Sequence, residues 1–464
     1  MKTSMPPDKP NPSSHFAAAC MRPINALVER YIPSALVFVI VLTAIVVVLA
    51  VTLTGASPVD VIRDWGDGLS GLLAFMTQMA LILLLGHALA NTRPVKRLLA
   101  ALARIPATAV QAYVFVCVIA ALASLITWGL GLVVGGLLAR EVAGQLRDKG
   151  VRLHFPMLVA AGYSGYVVWH MGYSGSGPLT AATEGSFLAL HMGTTIPLSA
   201  TTFSTWNISA ALLTIVVVAL ALALVAPRDD ANIVELDVDA RDKLLIPKDD
   251  ISTPADRLDA SRLLTSLVGL ALLVYLVIHF TDGGSLTLNI VNWSFLALIF
   301  LLVRNSFELL ALIKSAASNV GDILLQFPLY AGILGIMVGS GLIGVFSDFF
   351  VNISTPQTFG FLAFLSAGIV NFFVPSGGGQ FAVQGPIMLD AAAQLGVDPA
   401  VAIMAVAYGD QWSNMIQPFW ALPLLAIAGL KMRDILGYTT VTFLASGLVF
   451  SATLLLVGVG RATG

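Results

Sequence analysis

The chain has 464 residues, 57% hydrophobic and 11% charged, with a mean hydropathy of +0.89 and a formal net charge of −2. So few charges cannot keep a soluble surface of this size wet, so the composition excludes a soluble globular protein and calls for the bilayer as solvent. Two cysteines far apart, Cys20 and Cys117, exclude a disulfide framework, and neither a metal-ligand set nor a clustered nucleophile and base is present.

Residues 1–21 read as a Pro/Ser-rich cytosolic tail without the continuous apolar core of a signal peptide. A first membrane repeat is expected over 22–226, a charged cytoplasmic linker over 227–261 and a second repeat over 262–464. Apolar runs long enough to cross a bilayer fall at about 33–54, 70–92, 205–226, 262–281, 286–303, 321–343 and 435–458. Two more, about 155–183 and 400–428, are broken by Gly, Pro and polar residues. Two others, about 108–146 and 361–392, are apolar at both ends and Gly-rich between, with arms short for a full crossing; they read as re-entrant helical hairpins. With the N-terminus in the cytoplasm and each hairpin returning to its own side, nine crossings put the C-terminus in the periplasm. Of the 24 Lys and Arg residues, all but Arg63 and Arg461 then fall on the cytoplasmic side, as orientation by retained positive charge requires.

An internal repeat follows from the same segments. Residues 127–136 (TWGLGLVVGG) align with 371–380 (NFFVPSGGGQ), offset by 244, and 163–179 align with 408–424, offset by 245, with Tyr163/Tyr408, Pro178/Pro423 and Leu179/Leu424 coinciding. Gly86-His87 against Gly339-Ser340 is a weaker match. Four crossings per repeat plus one extra helix, 262–281, give the halves opposite orientations. The expected fold is therefore an all-α polytopic membrane protein of two inverted repeats, each with a re-entrant hairpin and a broken transmembrane helix. Broken helices at matching places in inverted halves point to a midplane substrate site and hence to a secondary carrier.

Backbone that leaves the helix at membrane depth must line a polar cavity or be buried in protein, so the irregular stretches supply the candidates. At the first tip these are Thr127, Trp128, Gly129 and Gly131; at the second, Asn371, Ser376, Gly377, Gly378, Gly379 and Gln380. Glycines let backbone N–H groups approach a carboxylate at a helix N-terminus; close helix packing is the competing use of the same residues. Ser174 and Ser176 in the first broken helix, and Asn414 and Gln417 in the second, complete the expected substrate set. Asp410, with Gly409 and Gln411, is the expected coupling-ion site, because a carboxylate at membrane depth is costly and functional by default. His170 reads equally as a titrating group and as a packing group beside Trp169, and His87 reads as structural. Asp322 and Asp390 are expected near helix ends facing water, and Trp65, Trp206 and Trp293 as interfacial anchors. No Lys or Arg is left at membrane depth, which suits a monoanion held by helix N-termini, hydroxyls and amides.

The stretches WGDGLSGLLAFMTQMALIL, WGLGLVVGGLLAREVA, NFFVPSGGGQFAVQGP, AYGDQWSNMIQPFWALPLLAIAGL and RDILGY closely resemble the bacterial short-chain fatty acid transporter family, over nearly the whole chain after about residue 22. The resemblance implies uptake of acetoacetate, butyrate and similar acids. It also implies membership of the wider ion-transporter superfamily, whose characterised members are elevator carriers with two re-entrant hairpins. Neither tip carries the Ser-Asn-Thr of the dicarboxylate branch, so substrate chemistry and ion stoichiometry do not transfer. The expected protein is not an enzyme. It carries no cofactor beyond a coupling Na+ or H+, and it works in the bacterial cytoplasmic membrane on a small monocarboxylate. Its other partners are the lipid bilayer and, as an assembly left open, a second copy in a homodimer; nucleic acid is not expected. The rival readings are a carrier of another small organic anion and a passive anion channel.

Overall fold

A computed structural model describes residues 35–227, 233–236, 251–317, 320–371, 374 and 376–461. The 1–21 tail and parts of the 227–261 linker lie outside them. Within the linker, the segment 233–236 lies along the start of the first broken helix, where Phe155 N donates to Val234 O at 2.8 Å and Val234 N donates to His154 Nδ1 at 3.1 Å.

The first repeat opens with α1 (Ala35–Leu49, continued by a wider turn to Thr54), α2 (Pro58–Gly68), α3 (Leu73–Ala90) and α4 (Arg93–Leu102). The start of α2 is set locally: Ser57 Oγ accepts Asp60 N, and Pro58 opens the helix with its φ already suitable. Next come the hairpin arms α5 (Ala109–Ile126) and α6 (Trp128–Asp148). The first broken helix follows, made of α7 (Phe155–Ser164), a 3-10 stretch (Gly165–Met171) and α8 (Ser176–Ala182), and then α9 (Phe187–Met192) and α10 (Thr205–Val225). After the short linker helix α11 (Pro254–Asp259) and the extra helix α12 (Arg262–Thr281), the order returns. It runs through α13 (Leu288–Leu302), α14 (Ser306–Ala317), α15 (Gly321–Gly339), α16 (Leu342–Ile353), hairpin arms α17 (Phe359–Asn371) and α18 (Gly377–Leu395), a second broken helix and α21 (Met432–Arg461). That broken helix is α19 (Pro399–Ser413), a 3-10 turn (Asn414–Ile416) and α20 (Pro418–Ala428).

The two repeats exchange partners. Helices α1 and α2 of the first pack on α15 of the second, while α13 and α14 of the second pack on α3 of the first. The final helices, α10 and α21, pack on each other. Each broken helix is tied to the other repeat's final helix: Ser164 Oγ to Thr442 Oγ1 at 2.6 Å, and Tyr408 OH to Asn207 Oδ1 at 2.9 Å. A twofold relation between halves produces such reciprocal contacts, so the repeat read from the sequence is visible in the packing.

Two expectations change. Short hairpin arms are expected, but α5 and α6 run to 18 and 21 residues, or about 27 and 31 Å at 1.5 Å per residue. The Gly-rich middle of the first hairpin is helix, because its glycines let helices touch. A Cβ on Gly135 would lie 2.8 Å from Gly162 O, and one on Gly136 would lie 3.2 Å from Ile427. The 321–343 run is not one straight span either. α15 ends at Gly339, Gly341 takes φ 75°, and the axis bends by 78° into α16. The weak Gly86/Gly339 match therefore joins a point inside α3 to the end of α15.

Candidate functional site

The two breaks meet. Tyr163 OH donates to Asn414 O at 2.7 Å, and His170 N donates to Gln411 Oε1 at 2.9 Å. Beside that bond, His170 Nδ1 lies 2.7 Å from Asp410 Oδ2, with both side chains fully buried. Gly177 N donates to His170 Nε2 at 3.1 Å. The break itself is held open by the first hairpin. Tyr173 N donates to Leu125 O at 2.7 Å, and a Cβ on Gly172 would overlap that same oxygen, so only glycine admits the close approach.

The first tip is a single residue, Thr127, between α5 and α6. Trp128 N, at the start of α6, donates to Ser174 Oγ at 3.3 Å. Gly131 is packed against Ser124 in the facing arm, and Gly129 lies against the backbone of Gly86 and His87, so both serve helix contact. The second tip is wider, with five residues (372–376) between its arms. Ser376 caps α18 by accepting Gly379 N at 3.2 Å; the N–H groups of Gly377 and Gly378, in the first turn, have no intrahelical acceptor. Gly377 approaches Trp169 and Ser176, while Gly378 and Gly379 lie against Phe75, Phe327 and Tyr330 of α3 and α15.

An aromatic cluster joins the tips. The Trp128 ring lies 6.4 Å from Trp169 and 5.2 Å from Trp420 on α20, and Tyr166 stacks on Trp169 at 5.8 Å. Three helix N-termini, those of α6, α18 and α20, thus reach one aromatic group. Around it are buried donors with no hydrogen-bond partner: Trp128 Nε1, Trp169 Nε1, Gln411 Nε2, Asn414 Nδ2 and Gln417 Nε2. Buried acceptors without a partner are Asn371 Oδ1, Gln380 Oε1 and Asp410 Oδ1. Each such atom costs about 1–3 kcal/mol if left unpaired, which marks the region as built for something other than stability.

The sequence-derived residues divide accordingly. Asn371 Nδ2 faces Asp410 O, Ser413 Oγ and Asn414 Oδ1 at 2.7–2.9 Å, so its two protons are committed and its free atom is an acceptor. Gln380 Nε2 is committed to Ala367 O and Gln384 Oε1, again leaving an oxygen. Gly409 sits against the α17 backbone, where a Cβ would overlap Phe364 O, which accounts for the glycine there. His87 lies on α3 beside the first tip, Asp390 pairs with His191 at 2.8 Å, and the Asp322 side chain lies outside the described residues. Trp65 lies against Gly332, and Trp206 sits 6.1 Å from Tyr408. Sequence reasoning did not single out the Trp169, Tyr166 and Trp420 cluster, and it named His170 without its partner Asp410. Its position 240 before Asp410, in the matching break, was the available signal.

A helical bundle of two repeats, each with a hairpin and a broken helix that meet at a buried polar centre, is the architecture of a polytopic membrane carrier. The chain matches the family model described as short chain fatty acid transporter over residues 17–457, and it belongs to that family. Two relatives, each provisionally named a short-chain fatty acid transporter, are similar over nearly their full lengths. That of Escherichia coli K12 is 41% identical, covering 92% of this chain and 97% of its own, and that of Haemophilus influenzae is 37% identical, covering 94% and 97%. Among solved structures, the Alcanivorax borkumensis YdaH transporter (TM-score 0.55, 91% of this chain and 99% of its own) and Neisseria gonorrhoeae MtrF (0.52, 93% and 97%) share the fold at 15% identity.

Proposed function

We propose that this protein imports acetoacetate, butyrate and similar short monocarboxylates across the bacterial cytoplasmic membrane, coupled to a cation gradient. The observation that carries this reading is the meeting of three helix N-termini and several uncommitted N–H donors at an aromatic cluster. Helix N-termini and neutral donors hold one carboxylate without a fixed cation. The Trp and Tyr rings suit a short aliphatic chain. A dicarboxylate would leave its second charge among aromatic faces, which favours the monoanion.

The acceptors Asn371 Oδ1, Gln380 Oε1 and Asp410 Oδ1 repel a carboxylate and fit the coupling cation instead. Asn371 and Gln380 therefore move from the substrate set to the coupling side. The deciding experiment is counterflow in proteoliposomes: trapped unlabelled butyrate should drive transient accumulation of labelled butyrate. A flux that is not saturable and shows no counterflow would favour the channel. Counterflow restricted to other small anions would favour the rival carrier.

A further inference from the structure

We propose that the coupling ion is a proton, held on Asp410 Oδ1, and that His170 is the positioning residue that prepares Asp410 to take and release it. This rests on the carrier reading above.

The hydrogen bonds assign the tautomer. His170 Nε2 accepts Gly177 N–H, so it has no proton of its own. A neutral ring must then carry its proton on Nδ1, which donates to Asp410 Oδ2 at 2.7 Å. Asp410 is thus an acceptor through Oδ2, while Oδ1 is buried with no partner. With Asp410 ionised, the pair carries one negative charge in a site where both side chains have no exposed surface. The groups facing it are neutral: the Gln411 amide and the Asn371 amide near its backbone oxygen, with the Tyr166 phenol within electrostatic range. No Lys or Arg is paired with it among the described residues. An uncompensated buried carboxylate is expensive, so a positive partner is needed during the cycle.

Where that charge lands is set by the same bonds. A second proton on the imidazole would go to Nε2 and point at the Gly177 N–H, setting donor against donor. A proton on Asp410 Oδ1 breaks no existing bond, because Nδ1–H still donates to Oδ2. In the step, a hydronium from the open side gives its proton to Oδ1; one O–H bond forms, a water molecule leaves, and the site becomes neutral. A neutral site admits the substrate carboxylate, and loss of the proton on the other side restores the repulsion that expels it. His170 comes from the break of one repeat and Asp410 from the break of the other, so the pair reports directly on how the halves meet.

The test measures protons taken up when butyrate binds purified protein, by calorimetry in buffers of different ionisation enthalpy across the neutral and alkaline range. Wild type should take up about one proton per butyrate in one pH window. Asp410→Asn should bind butyrate with no proton uptake at any pH. His170→Asn places an amide N–H where Nδ1–H stood and should keep the uptake. His170→Phe, which has no donor, should displace or abolish the window while still binding. Uptake in proteoliposomes, corrected for acid crossing protein-free liposomes, should follow a pH gradient without sodium. Binding without proton uptake in wild type, or binding that requires sodium, overturns the inference and leaves the carrier standing. Failure of wild type to bind any short monocarboxylate sinks the carrier reading itself. Proton uptake that persists in Asp410→Asn assigns the proton elsewhere and also overturns it.

Discussion

The first hairpin turns on one residue, Thr127, and the second on five, though their parent segments align at a nearly constant offset. In the first, glycines bring helices together: Gly131 to Ser124, Gly135 to Gly162, Gly136 to Ile427. In the second, the glycines open a helix, and the neighbouring amides Asn371 and Gln380 hold backbone and side-chain oxygens. One half of the repeat is locked and the other half carries the polar chemistry. Two inverted copies of one motif can therefore divide the labour of a carrier.

The largest expected effect tests the locked side. Gly131→Ala puts a methyl onto Ser124 Oγ and 2.8 Å from Ser124 Cα, so backbone must move. A loss of about 1–3 kcal/mol is expected, as for other overpacked cores. Gly378→Ala meets Phe75 and Phe327 at 2.9 and 3.2 Å, and ring ends can rotate away. Thermal midpoints in detergent should fall clearly further for Gly131→Ala; equal losses would erase the distinction between the tips.

The next effect sharpens the polar side. Asn371→Leu removes an amide that ties Asp410 O, Ser413 and Asn414 together. By loosening the second break around Asp410 it should weaken coupled butyrate binding about tenfold, roughly 1.4 kcal/mol. Thr127→Val keeps the shape at the first tip and removes a hydroxyl with no partner. Its affinity should stay within about twofold, since the locked tip holds helices together rather than substrate. A tenfold loss at Thr127 would mean that the first tip holds substrate.

How much of this was legible in the sequence follows from the same residues. The order of spans, hairpins and breaks was readable because bilayer length and interrupted helices leave a coarse signal. The role of each glycine was not, since a tip and a close helix contact both demand a missing Cβ; only the neighbour, Ser124 or Phe75, tells them apart. The bend at Gly341 was hidden within an unbroken apolar run. The orientation of the Asn371 and Gln380 amides was equally hidden, because an amide offers a donor and an acceptor and only its partners show which one is left. His170 looked like a lone histidine because its partner lies 240 residues away.

A smaller effect concerns the ties between repeats. Tyr408→Phe and Ser164→Ala each remove one buried hydrogen bond to the opposite repeat's last helix. Each should cost about 0.5–1.5 kcal/mol, with the two losses alike because the contacts are reciprocal. A large asymmetry in thermal midpoint would show that one repeat supports the other.

The smallest perturbation tests whether the compared hairpins enter from opposite sides. Thr355 is exposed in the turn before α17, where it pairs with Thr358, and Asp148 is exposed at the end of α6. If the repeats are inverted as proposed, these bases lie on opposite faces of the membrane. In a Cys20→Ser background, with Cys117 buried, a single cysteine at either base gives a clean signal. Thr355→Cys should react with an impermeant thiol reagent added to intact cells, and Asp148→Cys only after the membrane is opened. Transport should be unaltered in both, since neither residue touches the polar centre. The positive charge retained near the first hairpin, on Arg147, Lys149 and Arg152, predicts that its base faces the cytoplasm. Labelling of both cysteines from one side would place both hairpins on the same face. The exchange of partners between repeats would then need a relation other than a twofold axis in the membrane plane.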